Sequence, residues 1–328
     1  MKINKLIKET KYLNTLTIFK LSKIISNSYF FIKYFLFKKK IEQSLKQSFS
    51  KKKFKTIDGG SIEIFENVNE KLADNFFVDS LEMRMNKKIK KFLPKVDFIF
   101  DIGANIGSWT LAQKIFYNHN VKIYSFEPSK ITFEILTKNI PKNDNIEIYN
   151  FALGDTNCQQ TLSLPIEALQ EGKHYGTGYY TLKTGSVFFG EKVQVLSFDT
   201  VYEKEFKKNI NSEKSGVFIK VDIEGSELDF LNGALKTLKM LSNIIIQIEF
   251  NKKVFNSSKE SYISNFEKRL KVLKNVGFKK LFYEDRNLEF QLLNISDANL
   301  KDVFENPIKI HKTNQYKNVY VIDFFFSK

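Results

Sequence analysis

The layout of this chain can be read outward from one stretch, Val96 to Gly107: Val-Asp-Phe-Ile-Phe-Asp-Ile-Gly-Ala-Asn-Ile-Gly. Val96 and the mostly apolar run Phe98 to Ile102 predict a short strand buried on both faces, as in a parallel sheet. The strand breaks into Gly103-x-x-x-Gly107, and residues 108–117 follow with a helical pattern. A strand turning through glycines into a helix lets backbone N–H groups approach a ligand closely, beside the helix N-terminus. One helix later, Val121 to Phe126 reads as a second strand, ending in Glu127-Pro128. An acidic residue there, roughly 20 positions past the glycines, is where nucleotide-binding sheets hold ribose hydroxyls. The loop lacks the dinucleotide spacing Gly-x-Gly-x-x-Gly, so an NAD-type oxidoreductase is the weaker reading. Asp101 before the loop, Asn105 within it and Glu127 beyond it suit an adenosine bearing a positively charged sulfonium, which is S-adenosyl-L-methionine.

The 328 residues and 42% hydrophobic content allow one large domain with an appendage. Charge divides the two. Residues 1–55 hold 15 lysines against two acids, Glu9 and Glu42, which accounts for all but about two charges of the net +15. This first segment reads as a basic, aromatic-rich helical arm, and residues 56–328 as the catalytic domain. Lys20, Lys23 and Lys33 interrupt any run long enough to span a bilayer, and no small-residue cleavage site follows. Two readings of the arm stand: a helix lying on an anionic membrane surface, or packing on its own domain or on a second copy in a homo-oligomer. Arginine occurs only at 84, 269 and 286. Base reading leans on arginine forks, so nucleic acid is not an expected partner. Cys158 is the only cysteine and histidine occurs only at 119, 174 and 311, which leaves no Cys/His metal site. The expected setting is cytoplasmic, at the inner membrane surface if the arm binds lipid.

Along the chain, residues 51–55 read as a charged hinge and Asp58-Gly59-Gly60 as a turn. From Val96 onward strands and helices alternate, implying a parallel sheet covered on both faces. Ser129 is placed to cap the second helix, and Asn145 to Ala152 reads as the third strand. Residues 156–198 break the rhythm: strands near 160–164 and 192–198 flank a Gly/Tyr-rich segment, an insertion over the ligand site on the acceptor side. Gly216 to Asp222 and Asn243 to Glu249 are the fourth and fifth strands. A long helix, an antiparallel pair and a closing strand finish the fold.

A second group of residues carries chemistry. In Lys220-x-Asp222-x-Glu224, side chains two apart on a strand share a face. The trio therefore stands together at a strand's carboxyl end, where open parallel sheets bind ligands. Charged residues in a buried strand are costly unless paired or functional; a structural ion pair between Lys220 and one carboxylate is the competing reading. Glu249 is a further candidate. His174 in the insertion is a weaker one, as are Tyr175, Tyr179 and Tyr180 as a stacking platform. Cys158 has no base in view.

Phe100-Asp-Ile-Gly-Ala-Asn-Ile-Gly107, Phe126-Glu-Pro128, Ala152-Leu-Gly-Asp155, Phe198-Asp-Thr200 and Ile219-Lys-Val-Asp-Ile-Glu-Gly-Ser-Glu227 follow one another as in FkbM-type methyltransferases. The resemblance covers about residues 95–255 and leaves the arm outside. It implies an α/β, class I methyltransferase (Rossmann-like) fold with a seven-stranded, mostly parallel sheet and an antiparallel last strand. It further implies an S-adenosyl-L-methionine-dependent O-methyltransferase acting on a carbohydrate or small-molecule hydroxyl. By that likeness Asp101, Gly103, Ala104, Asn105, Gly107, Glu127, Ala152 and Asp155 hold the cofactor, while Lys220, Asp222 and Glu224 face the methyl group; no residue is assigned to a metal. A membrane-associated scaffold on a degenerate methyltransferase body is the rival from another class.

Overall fold

A computed structural model of the chain describes residues 49–67, 74–117, 121–142, 145–165, 187–251, 259–284, 290–296 and 321–328, together with Leu72 and Leu182. Residues 1–48, on which the helical reading of the arm rests, lie outside the described residues. No helix among the described residues is long and apolar enough to cross a membrane.

The described chain opens as an antiparallel hairpin, Phe49–Lys55 (β1) and Ser61–Asn67 (β2). Residues 51–55 are thus a strand rather than a hinge. Alternation explains it: Phe54 turns into the core with Ile64, Lys51 on the outward face meets Glu63 at 3.1 Å, and Lys52, on the Phe54 face, lies over its ring and reaches Asp74 at 2.7 Å. The short helix Phe76–Asp79 (α1) precedes Leu81–Phe92 (α2), whose cap Ser80 accepts from the Met83 N–H.

The alternating core follows: Phe98–Ile102 (β3), Ser108–Phe116 (α3), Lys122–Phe126 (β4), Lys130–Asn139 (α4) and Ile146–Tyr149 (β5). Ser129 caps α4 as expected, its hydroxyl accepting from the Thr132 N–H. The Asn139 side-chain amide exchanges hydrogen bonds with the Phe65 backbone at 2.7 and 2.9 Å and also donates to the Ile106 carbonyl at 2.8 Å. One side chain therefore ties the entry hairpin to the glycine loop.

The single strand expected at 145–152 is broken. The Asn150 side-chain amide donates back to the carbonyls of Glu127 and Pro128, and Ala152–Gly154 (β6) leaves for a second sheet. There β6 runs parallel to Val187–Ser197 (β8), which pairs antiparallel with Cys158–Pro165 (β7). These two strands are the flanks of the predicted insertion. Its centre, including His174, Tyr175, Tyr179 and Tyr180, lies outside the described residues.

The chain returns through Phe198–Val201 (α5), a π-helical turn at Tyr202–Phe206, Val217–Val221 (β9), Glu227–Gly233 (α6), Leu235–Met240 (α7) and Ile244–Asn251 (β10). Lys259–Asn275 (α8), Lys280–Glu284 (β11), Phe290–Asn294 (β12) and Val321–Ser327 (β13) complete it. The main sheet runs β12-β11-β13-β10-β9-β3-β4-β5. Neighbours from β5 to β10 are parallel, and β13 slots in antiparallel to both β10 and β11. The α/β sheet with an antiparallel closing strand is as expected, but among the described residues it has eight strands, not seven. The extra edge strand, β12, is held by Phe290, whose ring packs on Phe282 and Phe92 with centroids 5.5 and 5.9 Å apart.

Aromatic residues dominate one face of the sheet, where Phe100 meets Phe198 and Phe206 edge-on. The other face packs Ile99, Ile123, Phe218 and Ile245 under Trp109 and α2. At the carboxyl end, Gly103 has φ +88°, and a Cβ there would overlap the Asp222 carbonyl. Only glycine lets the ends of β3 and β9 close. Gly103→Ala is expected to destabilise the protein by more than about 2 kcal/mol, read as a lower urea midpoint; an unchanged midpoint would show that the two ends have room to part.

Candidate active site

Glycines at both ends shape the loop after β3, with Asn105 (φ 49°) between Gly103 and Gly107. Gly107 packs against Leu136 and Ile140, leaving no space for a Cβ. The Gly103 and Ala104 N–H groups both donate to the Phe126 carbonyl, at 3.0 and 2.9 Å. The Asn105 N–H turns the other way, to Glu127 Oε2 at 3.1 Å, and Glu127 Oε1 accepts from the Ser129 N–H at 2.8 Å. The Glu127 carboxyl is thus gripped between the glycine loop and the start of α4. Burial pushes it up to about 8, and the two backbone hydrogen bonds only partly oppose this.

Register accounts for the chemistry behind the loop. Ser125, Asp101, Lys220 and Gln247 lie side by side across β4, β3, β9 and β10. One strand position earlier on that face the residues are Ile123, Ile99, Phe218 and Ile245, so the face turns polar only at its carboxyl end. Thr110 bridges two members of this row: its hydroxyl donates to Asp101 Oδ2 at 2.6 Å and shares a 2.8 Å hydrogen bond with Ser125 Oγ. Burial raises the Asp101 carboxyl, and nearby Lys220 offsets part of the rise. Lys220 is itself buried, its Nζ 2.8 Å from Asp222 Oδ2 and 5.6 Å from the centre of the Trp109 ring. Burial alone would lower its pKa, but the Asp222 and Asp101 carboxylates reverse that and hold it above the ordinary lysine value. For Asp222, burial would raise the carboxyl, yet Lys220 brings it below the ordinary range.

The turn after β9 is also left-handed, with Glu224 at φ 49° and Gly225 at φ 101°. A non-glycine residue held there costs of order 1 kcal/mol, so the surroundings must impose it. They do so through Glu227, the last acid of the motif. Its Oε1 accepts from the Gly225 N–H at 2.9 Å, and its Oε2 binds buried Arg269 at 2.6 Å. The guanidinium in turn lies 4.8 Å from the centre of the Phe250 ring. Arg269 could not be found from the sequence, because α8 lies some forty positions downstream. The Phe198-Asp-Thr motif is likewise architectural: Asp199 accepts from the Lys236 and Thr237 N–H groups and caps α7.

An open cleft joins the two halves. Gly103, Asn105, Glu127 and Ala152 line one side, and Asp222 and Glu224 the other. Phe151, Leu162 and Leu182 add an apolar wall not singled out in the sequence. Asp101, Ala104, Gly107 and Lys220 are buried behind this lining, and Asp155 is exposed outside it. Glu191 on β8, also not foreseen, accepts from the Lys130 N–H at the start of α4. Lys220 supplies the positive charge among the described carboxylates of the catalytic side. The donor set fits an adenosine ligand: a fixed carboxyl to accept from the ribose hydroxyls, a backbone loop beside it, and an apolar wall for a base.

A parallel α/β sheet with a glycine loop, a buried carboxyl beside it and a charged turn across one cleft fits a nucleotide-cofactor enzyme. The methyltransferase FkbM domain matches residues 101–280, more than half of the chain, and the protein belongs to that family. The matched region is thus a methyltransferase domain, which sets aside the oxidoreductase reading. The chain is similar to methyltransferase sdnD of Sordaria araneosa, 29% identical over 133 residues, or 40% of this chain and 46% of that protein. It is also similar to the hexuronic acid methyltransferase AglP of Haloferax volcanii, 26% identical over 157 residues, or 46% of this chain and 56% of that protein. The chain therefore spans about half the length of these two relatives. A crystal structure of an FkbM methyltransferase from Methylobacillus flagellatus aligns over 70% of this chain and 43% of its own, with 14% identity and a TM-score of 0.39.

The state of Glu127 gives a signed pH dependence. The unfolded chain ionises this group near 4.5, while the fold keeps the proton to about 8, so its contribution to ligand-free stability falls as pH rises through that window. Glu127→Gln is expected to lose that slope in pH-dependent urea titrations. Adenosine does not titrate in this range and requires the carboxylate as acceptor. Its affinity for the wild type is expected to rise about tenfold between about pH 7 and 9, and calorimetry showing a flat profile would contradict the assignment.

Proposed function

We propose that this methyltransferase acts on oxygen, transferring a methyl group to a hydroxyl of a sugar, glycan or related metabolite. The observation that carries this reading is the facing of Asp222 and Glu224 toward Glu127 and the glycine loop across one cleft. A hydroxyl must lose its proton as it attacks, which calls for a base within hydrogen-bond reach, and this cleft offers carboxylates. The name of the AglP relative, a hexuronic acid methyltransferase, supports a sugar acceptor.

When bound, S-adenosyl-L-methionine supplies the methyl group and leaves as its neutral thioether. Glu127 would accept hydrogen bonds from the ribose hydroxyls, Gly103, Ala104, Asn105 and Gly107 would form the loop beside them, and Ala152 would lie beside the base. Asp101 balances the charge of Lys220 beneath the loop. Asp222 or Glu224 takes the acceptor proton, and Lys220 fixes their charge and orientation. Holding the acceptor oxygen in line supplies roughly 7–11 kcal/mol of the barrier.

Calorimetry with S-adenosyl-L-methionine and S-adenosylhomocysteine, then a labelled-methyl screen of sugars and cell glycans, tests the reading. Absence of cofactor uptake would return the scaffold alternative. On the acceptor so found, whichever of Asp222→Asn and Glu224→Gln removes the base is expected to lower turnover by about 10²- to 10⁴-fold; the first variant made is Glu224→Gln, with S-adenosylhomocysteine affinity expected unchanged. Full turnover in that variant removes Glu224 and leaves Asp222 as the base.

A further inference from the structure

The strand register sets a second polar row one step beyond Lys220. Ile248 pairs with Val221 in parallel and Glu249 with Asp323 antiparallel, so Asp222, Glu249 and Asp323 follow one another across the ends of β9, β10 and β13. Carboxylate oxygens of Asp222, Glu224 and Glu249 all lie within 4.8 Å of one another. Among the described residues, the charged groups facing Glu249 are thus Asp222 and Glu224 from the turn after β9 and Asp323 from β13, with Lys220 of β9 beside Asp222. Asp323 accepts from the Gln247 side chain at 3.0 Å, and the one lysine of the group has its Nζ on Asp222. Carboxylates this close in a low-dielectric site do not all ionise; one retains a proton. Burial, followed by Asp222 and Glu224, drives the Glu249 carboxyl well above its ordinary range, whereas Asp222 beside Lys220 goes the other way.

We propose that Glu249 is a positioning residue of the reaction: a carboxylic acid that donates its proton as a hydrogen bond to the Asp222 carboxylate and so fixes Asp222 as the base. The inference rests on the reading of this cleft as the methyl-transfer site, and it narrows the base from two carboxylates to one. A neutral acid orients Asp222 where a second anion would only repel it. During transfer the acceptor O–H bond breaks and its proton passes to Asp222, while the acceptor oxygen keeps the electron pair for its new C–O bond. The pair of the broken S–C bond stays on sulfur. Asp222 and Glu249 then hold two protons between them and return one to solvent.

Infrared difference spectra of the full chain test this without any acceptor. The wild-type minus Glu249→Gln spectrum near pH 7 is expected to show loss of a carboxylic-acid C=O band, and Glu249→Asp to retain one. In Asp222→Asn the Glu249 band is expected to titrate about one pH unit or more lower, because the neighbouring anion is gone. Loss of a carboxylate band in Glu249→Gln overturns the proposal. So does an unmoved titration in Asp222→Asn, or disappearance of the wild-type acid band on adding magnesium, which would mean that a cation rather than a proton holds the carboxylates together. A failed acceptor screen would leave an observed acid band standing, and a missing band would leave the O-methyltransferase reading standing, so the two fail separately.

Discussion

The two loops that carry the chemistry form one packed object, and the rest of the site follows from that contact. The Asp222 N–H donates to the Ile102 carbonyl at 3.0 Å, continuing the β3–β9 ladder past the last strand residue. There the Asp222 carbonyl rests against the Cα of Gly103 so closely that no side chain fits between them. The glycine loop therefore cannot move without the turn after β9. Donor and acceptor sides of a displacement must be aligned within fractions of an ångström, and rigid strand ends hold such geometry better than mobile loops do.

Closure at this point brings several acids into a buried layer with one lysine. Uncompensated charge in such a layer would cost several kcal/mol per ion, and the protein answers it by three separate means. Lys220 is bonded directly to Asp222. Asp101 is satisfied on one oxygen by Thr110. Glu127, on the far side of the loop, is held by two backbone N–H groups and pushed toward its neutral form. The ionisation states across the cleft are thus set by position in the sheet rather than by residue type.

Much of this was legible in the sequence because it depends on spacing within single elements. The glycine loop, the acid after the second strand and the alternating trio from Lys220 to Glu224 each sit within about ten residues of a strand end. The structure brings Gly103, Asn105, Glu127, Ala152, Asp222 and Glu224 to one cleft as that spacing implies. The misses have a common cause: they depend on pairings between distant segments. Residues 51–55 read as a hinge because four of the five are lysines and only pairing with β2 makes them a strand, and Asn150 ended a strand early by hydrogen-bonding back to Glu127 and Pro128. Arg269 and Glu191 act on the site from elements tens of positions away.

The motif itself separates into two jobs once its contacts are known. In Lys-x-Asp-x-Glu-Gly-x-Glu the two acids Asp222 and Glu224 face the cleft with Lys220 buried behind them, but the final Glu227 points away, into an almost fully buried pair with Arg269. A buried ion pair is weak evidence for stability, because desolvation offsets its attraction. Its value here is geometric. Glu227 uses one oxygen on Arg269 and the other on the Gly225 N–H, which holds the turn in the left-handed conformation that Glu224 would not adopt unaided. A residue buried outside the cleft thus fixes where a carboxylate inside it stands, so this acid belongs to the motif for its control of the backbone rather than for any contact with substrate.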